Sequence, residues 1–146
     1  MKVLIDTNVF LSYLLASVTP RTITTVVRTC LEQEEIELLV PAEQIQELAD
    51  KASTKDYFRT RIHHTAIQQF IQELTILSEL PPLLEDITAY SRDPKDDYLV
   101  AYGVVNEADY LITGDQDLLV LARVGALQIV LPSQFLQILR SQNLLP

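Results

Sequence analysis

Two short apolar runs that end in acidic residues constrain this chain more than any other feature. Residues 1–5 lead directly to Asp6, and residues 110–113 lead through a glycine to Asp115. Each run is followed by a helix-like pattern, which is typical of a buried parallel strand that feeds a helix. Ligands of open α/β sheets bind at the carboxyl ends of such strands. The sequence therefore predicts two carboxylates at one sheet edge, an arrangement that favours a divalent-metal site.

Strands alternate with helices along the rest of the chain. This order predicts an α/β fold, a three-layer α/β/α sandwich with a central parallel sheet. The predicted strands cover residues 1–5, 36–40, 109–113 and 127–131. The predicted helices cover residues 9–16, 20–34, 42–52, 64–77, 94–107, 116–122 and 133–140, with a helical turn and a loop within residues 51–61. Because 146 residues suffice for one core and no linker interrupts them, we expect a single domain over residues 1–146.

The composition is that of a globular protein, with 48% hydrophobic and 21% charged residues. The single cysteine, Cys30, cannot form an intramolecular disulfide and is predicted to be a buried thiol. No apolar stretch approaches the roughly 18 residues of a membrane span. The apolar start does not fit the pattern of a signal peptide, because Asp6 interrupts it after five residues. These features predict a cytoplasmic protein that does not contact a membrane.

The net charge of −9 weighs against a long basic groove for nucleic acid, because phosphate binding depends mainly on Lys and Arg. The acidic residues are, however, concentrated at a few candidate positions, namely Asp6, Glu47, Asp93, Asp96, Asp97, Asp115 and Asp117. The other 13 acidic residues nearly balance the 11 basic ones. Bound divalent cations would offset part of the remaining charge. The charge of the whole chain therefore does not exclude a phosphate-bearing substrate.

The acids at the strand ends each allow two interpretations. Asp6 is either a metal ligand at the sheet edge or the N-cap of the following helix. Asn8 either orients a water or a ligand carboxylate, or is itself a cap. Asp115 repeats the situation of Asp6, with the hydroxyl of Thr113 at the same edge, and Asp117 is either a second ligand or a cap for the short helix that follows.

Helix geometry separates the acids of residues 93–97. Pro94 fits the first helical position, so Asp93 is the N-cap and Asp96 its capping-box partner. Asp97 has no capping role, and it shares a helical stripe with the apolar residues 101, 104 and 105. A carboxylate on a buried stripe is costly unless a cation pairs with it. Asp97 is therefore the predicted ligand of this group, with Asp96 as the second choice.

Carboxylate oxygen is the only donor set in the sequence that indicates chemistry. His63 and His64 are adjacent and fit a solvated helix start, and no further His or Cys completes a zinc site. No nucleophile elbow, Gly-rich phosphate loop or dinucleotide fingerprint is present. Hard oxygen ligands suit Mg²⁺ or Mn²⁺. Glu47 lies beside Gln44, Gln46 and Asp50, and taken alone it is predicted to be a solvated glutamate.

Several motifs of the sequence, and the order in which they follow one another, resemble those of the PIN-domain ribonucleases. The resemblance is in particular to the PIN-type toxin components of bacterial and archaeal toxin–antitoxin pairs. The motifs are VLIDTN at residues 3–8, PAEQIQEL at 41–48, DPKDD at 93–97 and DYLITGDQDLL at 109–119. Residues 129–136 also resemble the closing strand and helix of that family. The resemblance runs across nearly the whole chain, and it implies a PIN-like nuclease fold.

The resemblance also implies a site and an activity. The acidic set of the family falls on Asp6, Glu47, Asp97 and Asp115, with Asn8, Thr113, Asp117 and Asp96 in supporting positions. The implied activity is metal-dependent endoribonucleolytic hydrolysis of RNA with Mg²⁺ or Mn²⁺, which leaves 5′-phosphate and 3′-hydroxyl ends. The implied partners are an RNA substrate, a cognate antitoxin and a second copy of the chain. The alternatives are an RNA-processing PIN nuclease without an antitoxin and a non-catalytic PIN-like interaction module.

Overall fold

A five-stranded sheet lies at the centre of the protein. The computed structural model describes residues 1–15, 20–85 and 97–145, and of Asp97 it describes only the backbone. The strands are β1 (Lys2–Ile5), β2 (Glu37–Leu38), β3 (Tyr110–Ile112), β4 (Arg123–Val124) and β5 (Leu127–Val130). Their order across the sheet is β2-β1-β3-β5-β4. β1 runs parallel to β2 and β3, and β3 runs parallel to β5, whereas β4 is antiparallel to β5.

Helices cover both faces of this sheet and confirm the predicted α/β/α sandwich. In the described residues they are α1 (Thr7–Leu14), α2 (Arg21–Glu32), α3 (Ala42–Thr54), α4 (Asp56–Arg59), α5 (His64–Leu77), α6 (Asp97–Val105), α7 (Gln116–Leu119) and α8 (Pro132–Ser141). Successive side chains of β1 point to opposite faces of the sheet, so they belong to two separate cores. Val3 and Ile5 pack on one face and Leu4 on the other. The first core includes α1, α2, α5 and α8, and the second includes α6 and α7.

Several predicted elements are shorter than the sequence pattern indicated, and two of them show why. The strand predicted at residues 36–40 is reduced to Glu37–Leu38, because the chain beyond it turns from β1 to Glu79. There Leu39 forms an isolated parallel bridge, and the amide of Val40 donates to the Glu79 carbonyl at 3.0 Å. The helix predicted at residues 116–122 ends at Leu119. Apolar periodicity continues past both ends, but the backbone hydrogen bonds there change partner: those after β2 pass to Glu79, and those after α7 become turns in which Leu121 and Ala122 bond to carbonyls three residues earlier.

The predicted parallel sheet carries one additional antiparallel strand at its edge. Arg123 and Val124 form β4, which pairs antiparallel with β5 through a turn at Gly125. Gly125 has a φ of +61°, a left-handed conformation that a side chain disfavours. A strand of two residues is too short to show an alternating pattern, so the sequence offered no signal for it.

A close approach sets the position of α6 on the sheet. A Cβ atom at Gly103 would lie 2.8 Å from Cδ2 of Leu127, a buried residue of β5. Glycine therefore lets this helix pack directly on the strands. Since α6 begins at Asp97, this contact determines where the amino end of the helix meets the rest of the molecule.

The single cysteine lies in the core of the protein. Cys30 is 1% exposed, as predicted, and burial raises the pKa of its thiol. No helix within the described ranges is long and apolar enough to cross a membrane.

The strand order identifies the edge at which a ligand site is expected. From β1 the chain proceeds to β2 on one side, and it later returns to β3 on the other side of β1. A crevice at the carboxyl ends of two such strands is the usual ligand site of open α/β sheets. Asp6 follows β1 and Thr113 follows β3, so both lie at this crevice.

Candidate active site

One threonine hydroxyl links the two acidic strand ends. The amide of Asp6 donates to the Ile112 carbonyl at 2.9 Å, so the residue after β1 is tied to β3. The hydroxyl of Thr113 donates to Oδ2 of Asp6 at 2.7 Å and accepts from the amide of Asp115 at 2.9 Å. Asp6 is 3% exposed and Thr113 is fully buried. The structure thus brings Asp6, Thr113 and Asp115 together at the predicted sheet edge.

The two interpretations of the strand-end acids are resolved differently at the two strands. Asp6 occupies the N-cap position of α1, but its side chain makes no capping hydrogen bond. Asp115 does cap α7, because its Oδ1 accepts from the amide of Asp117 at 2.9 Å. Asp117 is not the cap of that helix; its side chain is exposed, as is that of Asn8 in the first turn of α1.

Glu47 is held by three side chains and is not a solvated glutamate, so the prediction made from its neighbours alone is wrong. Its Oε1 accepts from the hydroxyl of Thr7 at 2.5 Å and from the hydroxyl of Tyr98. Its Oε2 lies 3.3 Å from Nζ of Lys51, one turn further along α3. Its side chain is only 19% exposed. Glu47 therefore has a fixed orientation beside the start of α1.

Electrostatics at Asp6 show that the carboxylates act on one another. Burial is the largest influence, and it raises the pKa of Asp6 above its ordinary value of 3.8. The hydrogen bond from Thr113 and the charge of Lys51 lower that pKa, whereas the charges of Glu47 and Asp115 raise it. A buried carboxylate beside two others is unfavourable without a cation or a proton. The ammonium of Lys51 is one cation of the described residues that acts on it.

Sequence reasoning missed several residues around this site. Gln44 is fully buried, its Nε2 donates to the Ile5 carbonyl and lies 3.4 Å from the hydroxyl of Thr7, and its Oε1 has no partner among the described residues. Tyr98 is half-buried, and burial together with its hydrogen bond to Glu47 raises its pKa. The spacing of Gln44, Glu47 and Lys51 along one face of α3 was the available signal.

The third acidic group lies mostly outside the described residues. Asp93 and Asp96 are not among them, and of Asp97 only the backbone at the start of α6 is described. The bond from Tyr98 to Glu47 places the first turn of this helix beside α3. Among the side chains that the structure describes, no three His, Cys, Asp or Glu residues form a group that could hold a metal ion. The predicted set of four carboxylates is therefore seen only in part.

The donor chemistry of the described residues fits a hard divalent cation. All three described carboxylates present oxygen, the ligand type that Mg²⁺ and Mn²⁺ prefer. Burial raises the pKa of Asp6, so a cation bound beside this carboxylate would offset the cost of burying its charge. Asp6, Asp115 and Glu47 are thus the described residues that could contribute ligands.

The fold and the site define an α/β/α protein with a carboxylate-lined crevice at the point where the strand order reverses. A family model described as PIN domain matches residues 2–117, a range that contains every candidate carboxylate. The chain therefore belongs to the PIN domain family, whose members are generally nucleases. A comparison with curated protein sequences found no match.

Proposed function

We propose that this protein is a metal-dependent endoribonuclease that hydrolyses phosphodiester bonds of RNA with Mg²⁺ or Mn²⁺. The observation that carries the proposal is the buried Asp6 carboxylate, held by Thr113 and surrounded by the charges of Asp115, Glu47 and Lys51. A structural N-cap would bond to its own helix, and Asp6 does not. Membership of a family of nucleases supports the same conclusion.

In the proposed site, Asp6, Asp97, Asp115 and Glu47 would hold the cation. A bound divalent cation would lower the pKa of a water and stabilise negative charge on the phosphate during in-line displacement. Thr113 orients Asp6 through its hydroxyl, which is already engaged on both sides, so it serves the carboxylates rather than the water.

The second carboxylate of known orientation, Glu47, is positioned by Thr7, Tyr98 and Lys51. Three donors to one carboxylate fix both of its oxygens before any ligand arrives, which is the kind of preorganisation that a catalytic site needs. Asn8 and Asp117, both exposed, are proposed to support water and substrate from the rim. Asp96, outside the described residues, is proposed as a further supporting residue.

A cleavage assay on a mixed RNA pool tests the proposal. We expect fragmentation with Mn²⁺ or Mg²⁺, no fragmentation with EDTA, and 5′-phosphate and 3′-hydroxyl ends on the products. Glu47→Gln and Asp97→Asn should each reduce the rate by at least about a hundredfold, because each removes a charge from the proposed metal site. Asp50→Asn, an exposed acid on the same helix as Glu47, serves as the control and should cleave normally. Cleavage that persists in EDTA would contradict the metal dependence.

We further propose that the nuclease is the toxin of a toxin–antitoxin pair, that it acts in the cytoplasm, and that it forms a homodimer. Support for this role comes from the sequence resemblance to PIN-type toxins. Induced expression should arrest growth of a bacterial host, and Glu47→Gln should abolish the arrest. An active nuclease that leaves growth unaffected would instead indicate a role in RNA processing.

A further inference from the structure

A pocket of about 390 Å³ opens beside the candidate site, next to Asp115. It lies between α1, α2, the link from β3 to α7 and the first residue of α8, and it is lined by Asn8, Val9, Ser12, Ile23, Gly114, Asp115 and Pro132. It lies at the carboxyl ends of β1 and β3 and is lined by Asp115, whose amide donates to the same Thr113 hydroxyl that bonds to Asp6. Whatever bound there would be within reach of a phosphate at the carboxylates.

The described part of the pocket wall offers no positive charge to a phosphate. No Lys, Arg or His is among its described lining residues, and Asp115 contributes a carboxylate. An anion placed there would gain no charged donor from these residues, and the cation proposed at Asp115 would draw a phosphate towards the carboxylates instead. The pocket beside them therefore suits a neutral part of the substrate.

The walls suit a flat group with apolar faces and polar edges. Val9, Ile23 and Pro132 provide apolar surface, while Asn8 offers an amide that both donates and accepts. A Cβ atom built on Gly114 meets no atom within 4 Å, so the backbone at that point opens into free space. Small-molecule pockets typically combine apolar walls with a few polar groups in this way, at volumes of about 300–1,000 Å³.

We propose that this pocket binds one unpaired nucleobase of the RNA substrate, next to the phosphate that is cleaved. The inference rests on the proposed nuclease function and adds its mode of substrate binding. Because the chain has a net charge of −9, base contacts would have to replace part of the affinity that other nucleases obtain from phosphates. A base can enter such a pocket only when it is unstacked and unpaired.

Binding of free nucleosides tests the pocket without metal or catalysis. Methyl NMR spectra of the full chain would be recorded with adenosine, guanosine, cytidine, uridine and, as the control, ribose. We expect saturable shifts of the Val9 and Ile23 methyl signals with at least one nucleoside and none with ribose. Shifts that are equal at the exposed Ile76, or that also occur with ribose, would show non-specific contact and overturn the proposal.

Two variants and a matched control locate the effect. Ile23→Ala removes one apolar wall and should weaken nucleoside binding about tenfold, in the range of a lost base contact. Ile71→Ala removes an equally sized, half-buried side chain from α5 and should leave binding unchanged. Gly114→Leu fills the pocket, and its backbone φ lies outside the left-handed region, so the substitution is not strained. Nucleoside binding that survives Gly114→Leu would place the base elsewhere.

A cleavage arm separates this inference from the proposed function. Single-stranded RNA that carries one abasic nucleotide beside a cleaved bond should be cut at least about tenfold more slowly there than the intact RNA. Equal cleavage of both RNAs would overturn the pocket and leave the nuclease function standing. If neither RNA is cleaved, the nuclease function fails, and the nucleoside titration alone decides whether the pocket binds a base.

Discussion

At the scale of single residues, Thr113 joins two acidic residues that lie 109 positions apart in the chain, Asp6 and Asp115. Its hydroxyl donates to one of them and accepts from the backbone of the other. A valine has nearly the same shape but can do neither. The geometry of the site therefore depends on one buried oxygen atom.

Substitution of Thr113 by valine and by serine measures that dependence. Thr113→Val leaves the buried Asp6 carboxylate without its donor and should lower the free energy of unfolding by about 1–3 kcal/mol. Thr113→Ser retains the hydroxyl and should recover most of the Mn²⁺ affinity that Thr113→Val loses. Urea denaturation and calorimetric Mn²⁺ titration provide the two readouts. Equal Mn²⁺ affinity in the two variants would show that the hydroxyl does not orient the carboxylate.

Asp6 itself should destabilise the metal-free fold. Its raised pKa means that folding disfavours its charged form. The stability linked to its proton is fully present below the ordinary pKa of 3.8, and it is lost as pH rises through the raised pKa of the folded state. In EDTA, Asp6→Asn should therefore have a Tm a few degrees above that of the wild type at pH 7, and the gain should shrink towards pH 3. A Tm below that of the wild type at pH 7 would argue that the charge is already compensated.

At the scale of elements, α3 carries Gln44, Glu47 and Lys51 on one face, so a single helix contributes a buried amide, a carboxylate and an ammonium to the site. The 3.6-residue period aligns these three residues. Their environment comes from α1 and α6, through Thr7 and Tyr98. Any shift of α3 would move all three groups together.

Removal of the ammonium from this face should tighten cation binding. Lys51→Met leaves the Glu47 carboxylate without its cation at 3.3 Å and removes a charge that favours ionised Asp6. We expect Mn²⁺ affinity to rise several-fold by calorimetry. Lys55→Met makes the same change of charge at an exposed position at the end of α3 and is the matched control. An identical rise in both variants would reduce the effect to net charge.

The turn at Gly125 connects β4 and β5, the one antiparallel strand pair among the described residues. Gly125→Ala places a Cβ on a residue with a φ of +61° and should cost about 1–2 kcal/mol of unfolding free energy. Gly114→Ala, at a residue outside the left-handed region and with open space around it, should be nearly neutral. Thermal unfolding of both variants checks this contrast, and a neutral Gly125→Ala would mean that the turn relaxes.

Most of the fold, and the positions of two of the site's carboxylates, follow from local patterns in the sequence. Asp6 and Asp115 could be located because a strand end is marked by the residues beside it. The surroundings of Glu47 could not be predicted, because its partners Thr7 and Tyr98 lie 40 and 51 positions away and meet it only through helix packing. The two-residue strand β4 left no periodic signal. Sequence patterns thus predict elements and their ends, and packing between elements determines the rest.

At the scale of the whole molecule, the charge distribution constrains how RNA can bind. Only 11 residues are Lys or Arg, against 20 acidic ones, and one of the lysines is paired with Glu47. A protein that contacts few phosphates releases few counterions when it binds. Affinity for RNA should therefore depend only weakly on salt.

A salt titration of RNA binding checks this expectation. With the Glu47→Gln variant, so that the RNA stays intact, the slope of log K against log salt should correspond to no more than about two phosphate contacts. Fluorescence anisotropy on a short single-stranded RNA is a suitable measurement. A slope that corresponds to about six contacts or more would reveal a basic surface that the whole-chain charge does not predict.

The most direct test of the metal-dependent nuclease site compares the same substitution, Asp to Asn, at the carboxyl ends and at the amino ends of the parallel strands. Asp6 follows β1 at the carboxyl ends of the strands, whereas the exposed Asp109 precedes β3 at the amino ends, where its Oδ2 accepts from the amide of Lys2 at 2.9 Å. The measurement is the Mn²⁺-dependent cleavage rate of one single-stranded RNA by Asp6→Asn and by Asp109→Asn. The site described here predicts a loss of at least about a hundredfold for Asp6→Asn and an unchanged rate for Asp109→Asn. Full activity in Asp6→Asn would contradict it.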